Sequence, residues 1–140
     1  MTNEDQPLPH APIAEKSILS AMFQNVANIA RAASEGVTAD VLHIPSHREI
    51  VGYLIKARES GAVEDDGSAS LTVFVQQAAI DGNLDRMGGP AEIYEIYNYA
   101  PSLAGWSAWC NQIRECNARR IAMLAAETIS SASDSEEAIK

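Results

Sequence analysis

The stretch Leu103–Ile129, LAGWSAWCNQIRECNARRIAMLAAETI, contains no proline and a single glycine, Gly105, near its start. Nothing in it interrupts a helix. At 1.5 Å per residue, about 27 residues make a rod of roughly 40 Å. A compact chain of 140 residues has a radius of gyration of only about 14 Å. The helix is therefore expected to overhang whatever the preceding residues build. Its apolar positions Trp106, Trp109, Ile113, Ile121, Leu124 and Ile129 run the length of the rod, and those in the far half need a partner: a second arm of the same chain, another subunit, or both. Trp106 and Trp109 either seal the helix onto the rest of the chain or enter a subunit interface, where tryptophan is enriched. Arg119-Arg120 fits a partner contact or a plain solvated pair equally well.

Upstream, residues 13–100 carry the signals of about five short helices. MTNEDQPLPHAP at 1–12 is polar and proline-rich, an arm expected to be flexible, with Pro12 near a helix start. Ile18, Leu19, Met22 and Phe23 then recur at helical spacing. Val26–Ser34 repeats the pattern with Ile29, Ala30 and Ala33, closed by Gly36. After Pro45, Ser46-His47-Arg48-Glu49 fits a capping box, with Ser46 as N-cap, Glu49 reaching back and Arg48 pinning the helix start. Ile50, Val51, Leu54 and Ile55 follow, up to Ser60-Gly61. Residues 61–69 form a loop. Ser70 can cap a helix from Leu71 to Ile80, although Leu-Thr-Val-Phe-Val alone suggests a strand; the face Leu71, Phe74, Val75, Ala78 decides for helix. Gly88-Gly89-Pro90 is turn chemistry leading into a helix with Ile93, Ile96, Tyr97 and Ala100 as its buried stripe. Pro101-Ser102 opens the long element. The tail Ser131–Glu137 suggests a turn, with Asp134 or Ser135 capping a further helix.

Composition narrows the function classes. Hydrophobic residues make up 46 % but aromatics only 6 %, so the core rests on aliphatic residues and alanine, which favours helices. The net charge of −9 argues against strong duplex DNA binding, which requires a basic stripe. Cys110 and Cys116 lie six apart, about 600° around a helix, and point to different faces. They imply reduced thiols and a cytoplasmic protein. No apolar run reaches the roughly 20 residues of a membrane span.

Catalytic and metal chemistry is hard to place. His43 and His47 are separated by Pro45 and lack a third ligand, and Glu64-Asp65-Asp66-Gly67 lacks the spaced donors of a calcium loop. Gly88-Gly89 is a turn, and no G-x-x-x-x-G-K-[ST] phosphate loop occurs in residues 1–140. No catalytic, cofactor or metal residue is assigned.

The order of motifs resembles the N-terminal domain of DnaB-like replicative helicases. The resemblance rests on Pro12, Glu15, Ser17, Leu19 and Met22 in the first helix, then on His47-Arg48-Glu49-Ile50. It continues with Gly82-Asn83-Leu84-Asp85-Arg86-Met87-Gly88-Gly89, with Ala100-Pro101-Ser102-Leu103-Ala104-Gly105, and with Trp109 through Glu115. Where the family carries Thr, Asn and Tyr in the last motif, this chain has Ala100, Gly105 and Trp109. The resemblance implies an all-α fold: a small orthogonal bundle at 13–100, then a long helix at 101–140 that is the first arm of a helical hairpin. It implies a non-catalytic scaffold that self-associates as a dimer, or as the collar of a hexamer in the full-length protein, and docks primase or a helicase loader. ATP and magnesium would belong to a separate C-terminal ATPase domain of the parent helicase. Trp106, Trp109, Ile113, Arg119, Arg120, Ile121 and Leu124 are the candidate interface; Ser46, His47, Arg48, Glu49, Gly88, Gly89, Pro101 and Ser102 are candidate structural residues. A free-standing replication adaptor is the alternative. A helix-turn-helix regulator fits less well, because none of the helices carries the basic and amide residues a recognition helix needs.

Without a phosphate cradle the chain should not bind nucleotide. Titration calorimetry with ATP and magnesium should give no heat of binding, and a micromolar affinity would contradict this reading.

Overall fold

A computed structural model describes residues 11–100 and 102–139. Most of the Pro-rich arm and Pro101 lie outside the described residues. The order is α1 (Pro12–Gln24), α2 (Ala27–Ser34), a 3-10 turn (Ala39–Val41), α3 (Pro45–Ser60), α4 (Leu71–Ile80), a second 3-10 turn (Asp85–Met87), α5 (Gly89–Tyr97) and α6 (Trp106–Ile139). Among the described residues the fold is all-α, five short helices and one long one. Extended pairing is limited to the bridge between Val63 and Ala69 in the α3–α4 loop.

The first helix is the hub. α1 packs against α2, α3, α5 and α6, so it cannot be amphipathic in the usual one-sided sense. Ala14, Ile18, Leu19, Ala21, Met22 and Phe23 are all buried. Phe23 meets Phe74 edge-on at 5.0 Å and Tyr97 at 6.1 Å, and Phe74 meets Tyr53 at 5.9 Å. Two polar side chains of α1 tie down the α5–α6 connection. Ser20 Oγ donates to the Tyr97 carbonyl and accepts from the Ala100 N–H, while Gln24 Nε2 donates to the carbonyls of Tyr97 and Ala100.

Turn and cap chemistry explains the other boundaries. Ser70 Oγ accepts from Val73 N at 3.4 Å and starts α4, which settles the strand-like Leu71–Val75 as helix. Gly88 has φ +91°, and a Cβ there would lie 2.9 Å from Glu92 Cγ, so the entry to α5 needs glycine on both conformational and steric grounds. In α2 the core takes Ile29 and Ala32 rather than Ala30 and Ala33.

Two expected features are absent. The capping box does not form: α3 begins at Pro45, with Ile44 as N-cap and no side-chain cap. Ser46 is already inside the first turn. Glu49 points instead to Arg86, 4.0 Å away, and Arg48 is exposed. The work expected of them is done from α1. Glu15 Oε2 accepts from His43 N at 2.8 Å, and its Oε1 accepts from Ile44 N at 3.3 Å and from His47 Nδ1 at 3.0 Å. The tail does not turn either, since α6 runs unbroken to Ile139. Between Trp106 and Ile139 there is no Gly or Pro, and serine or aspartate in a helix costs only a few tenths of a kcal/mol each relative to alanine.

Glu15 is 1 % exposed. Burial pushes its carboxyl up, but the hydrogen bonds from His47, His43 and Ile44 and the charge of His47 together outweigh that and hold the pKa below its ordinary value of 4.5. A carboxylate with a lowered folded pKa stabilises the fold above its unfolded pKa, and the gain is lost as pH falls through the folded value. Glu15→Gln should therefore destabilise the chain by about 1.5–3 kcal/mol at pH 7, the usual worth of hydrogen bonds to a charged group. In urea titrations at successive pH values the difference from the parent should shrink below pH 4.5; a gap that stays constant down to pH 3 would refute the assignment.

Candidate functional site

The 34 residues of α6 divide into a half that belongs to the core and a half that leaves it. In the first half Trp106 is 2 % exposed, Cys110 0 % and Ile113 1 %. Around them α2 and α6 share a polar cluster. The Trp106 indole N–H donates to the Glu35 carboxylate, and the Arg31 guanidinium lies 4.3 Å over the Trp106 ring. Arg114 Nη1 donates to the Glu35 carbonyl at 2.6 Å. The Trp106 hydrogen bond holds the Glu35 carboxyl below its ordinary pKa. Cys110, by contrast, is pushed up to about 11 by burial and by the Glu35 carboxylate, so it is an inert core thiol. Cys110 and Cys116 are both free.

Beyond Arg120 the head no longer buries the side chains of the helix, and of residues 121–130 only Met123 is partly covered. Ile121 is 60 % exposed, Leu124 48 % and Ile129 68 %. Asn117, Ile121, Leu124 and Thr128 follow one another at steps of four, three and four, the spacing that lines up one face of paired helices. Ala118, Ala122, Ala125 and Ala126 flank them, and small side chains let a second helix approach closely. A groove of about 390 Å³ opens beside this face, with Leu42, Pro45, Ile121 and Leu124 in its walls and Asp40, His43 and Arg48 among its polar residues.

The seven candidate interface residues thus part company. Trp106 and Ile113 are core residues, and Trp109 is half-buried; none of them is offered to a partner as a free side chain. Ile121 and Leu124 are exposed, as is Arg119, which lines a shallow pocket with the start of α1. Arg120 fits neither reading of the arginine pair, being 7 % exposed with Nη2 donating to the Val41 carbonyl at 2.7 Å. Among the structural candidates, His47, Gly88 and Gly89 sit in the roles of helix anchor and turn, and Ser102 Oγ accepts from Ala104 N at 3.2 Å just before α6. Sequence reasoning named Glu15 only as a motif residue, without a role, and missed Glu35. For Glu15 a signal existed: positions 15, 18, 19 and 22 form one helix face, and a lone carboxylate in an otherwise apolar face implies a buried partner. Glu35 had none, since its partners lie more than 70 residues away.

Gly105 and Trp109 explain each other. A Cβ on Gly105 would lie 2.6 Å from Trp109 Cε2, so the indole folds back over a helix start that must be bare.

Among the described residues no group of three or more His, Cys, Asp or Glu is placed to hold a metal ion, and no helix is long and apolar enough to cross a membrane. What the fold presents is a helical head carrying a projecting helix. A family model described as the DnaB-like helicase N terminal domain matches residues 7–115, and the chain belongs to that family. The crystal structure of the N-terminal domain of DnaB helicase from Mycobacterium tuberculosis superposes with a TM-score of 0.75 at 18 % identity, covering 89 % of this chain and 86 % of that one. The two share the fold.

Gly105→Ala should force the Trp109 ring off the helix start. Overpacking of this kind costs about 1–3 kcal/mol, and the tryptophan emission should shift to the red as Trp109 gains solvent. An unchanged spectrum and denaturation midpoint would show that the ring has room to spare.

Proposed function

We propose that the chain is the scaffold and docking part of a replicative DNA helicase, with no catalysis of its own. The projecting half of α6 is the first arm of a helical hairpin. It pairs with the same element of another subunit, builds the collar of a hexameric ring, and offers the outer surface of that collar to primase or a helicase loader. Membership of the family supports the context. The observation that carries the pairing is the exposure of Ile121, Leu124 and Ile129 on a helix that has outrun its own core.

The magnitudes favour association. Burying a Leu or Ile side chain is worth about 1.5–3 kcal/mol, so three such residues on each partner supply a substantial drive, of which part offsets the entropy lost on association. Nucleic acid is a poorer partner for this segment, because its net charge of −9 repels a phosphate backbone.

Replacing both Ile121→Asp and Leu124→Asp should shift the chain to monomer while its circular dichroism keeps the helical signal of the folded head. Static light scattering reads the outcome. An unmodified chain that stays monomeric at about 100 μM, where complexes of about −5 to −6 kcal/mol are still populated, would overturn the pairing.

A further inference from the structure

Trp106, Cys110, Ile113, Asn117, Arg120 and Leu124 recur along α6 at steps of four, three, four, three and four, and so share one face. The head buries Trp106, Cys110 and Ile113 of that face, while Leu124 lies beyond the last buried residue. Arg120 occupies the point of exit. An aliphatic side chain there would simply extend the apolar stripe, whereas a buried guanidinium is desolvated at a cost that only well-made hydrogen bonds offset. Arg120 is 7 % exposed, and its Nη2 donates to the Val41 carbonyl at 2.7 Å.

The segment that follows that carbonyl is tied to α1. Val41 ends the 3-10 turn, a short strap through the extended residues Leu42 and Ile44 leads from it into α3, and the amides of His43 and Ile44 in that strap donate to Glu15 of α1 at 2.8 and 3.3 Å. The strap is thus gripped by a carboxylate from α1 and a guanidinium from α6. Apolar contacts resist sliding and rotation weakly because they are non-directional, whereas a hydrogen bond weakens steeply when misaligned.

Leverage makes this grip matter. Ile113 and Arg120 are seven residues apart, roughly 10 Å along the helix, and the backbone runs on for roughly 28 Å more to Ile139. If Ile113 were the last firm contact, a slip of about 1 Å at position 120 would swing the far end by about 4 Å.

We propose that Arg120 is a positioning residue that fixes the direction in which α6 leaves the head, and through that direction the register in which Ile121 and Leu124 meet a second copy. The register rests on the pairing proposed above; the direction does not. Arg120 shares its face with a second polar residue, Asn117, and polar residues set among apolar ones in a helix seam are a known way to specify register at some expense of stability.

The test uses the full chain with Cys110→Ala and Cys116→Ser, carrying spin labels at Glu59→Cys on α3 and Ala126→Cys on the arm, both exposed positions. Pulsed electron paramagnetic resonance on samples diluted with unlabelled chain reads the distance within one molecule. The parent should give one narrow distance. Arg120→Leu should broaden it or displace it by about 2 Å or more, with the urea midpoint unchanged or raised, a combination that a merely structural role would not give. Arg120→Lys, which keeps a charged donor, should stay near the parent. Should the leucine variant fail to fold, Arg120→Gln, too short to make the same contact, carries the comparison. A folded leucine or glutamine variant with the parent's narrow distance overturns the proposal. Light scattering on the unlabelled parent chain separates the two readings. A monomeric parent whose variant still broadens leaves the positioning role standing and overturns the pairing. A pairing parent with an unmoved variant does the reverse.

Discussion

Glu15 is the contact on which the arrangement of this domain turns. A carboxylate in the first turn of a hub helix is an expensive thing to bury, and it is tolerated only because three donors, two backbone amides and an imidazole, converge on it. In return it places the start of α3 against α1 with a directionality that the aliphatic core around it lacks. From there the constraint spreads outward. The strap before α3 is fixed, its Val41 carbonyl becomes a firm seat for Arg120, and the long helix is aligned with the head. Removing one charged partner of such an arrangement leaves the others buried and unsatisfied, which is why it acts as a unit.

The polar groups of the interior follow the same logic elsewhere. Ser20 and Gln24 satisfy the carbonyl of Tyr97 at the end of α5, and Gln24 that of Ala100 just beyond it, while Tyr53 donates to Asp81 and accepts from Asn83 at the end of α4. Each sits where the chain reverses direction and helix-terminal groups have no partner of their own. The fold's apolar residues supply the drive to collapse, and these few polar contacts decide which collapsed arrangement is kept.

Much of this was legible in advance, for local reasons. Proline and glycine mark both ends of α3 and the start of α5, Ser70 caps α4, and the apolar spacing in α1, α3 and α4 names the residues found in the core. The helix count and the projecting rod follow from those signals alone. The failures were non-local. Ser46 and Glu49 match a capping box, yet the cap comes from Glu15, some 30 residues earlier, because Pro45 has already set the first turn. Trp106 and Ile113 were grouped with Ile121 and Leu124 because a sequence shows one continuous stripe and does not show where the head ends. Arg120 looked like half of a surface pair. Its burial depends on a carbonyl about 80 residues away, a contact that no spacing rule reaches. The turn expected at Ser131–Glu137 failed for the opposite reason: a run of polar residues weakens a helix, but without glycine or proline it does not end one.

The absence of any break in α6 has a thermodynamic consequence. The helix that seals the head through Trp106, Cys110 and Ile113 is the same helix that carries the exposed arm, with no hinge between them. Whatever binds the arm therefore binds a segment whose helical state is already fixed by the head, so little ordering entropy opposes capture. The linkage also runs backwards: a ligand that recognises only the folded arm withdraws molecules from the unfolded pool and stabilises the core of the head, many ångströms from the contact, in proportion to the logarithm of its concentration. The domain's resistance to unfolding is thus open to tuning by anything that binds the arm, and not by its own sequence alone.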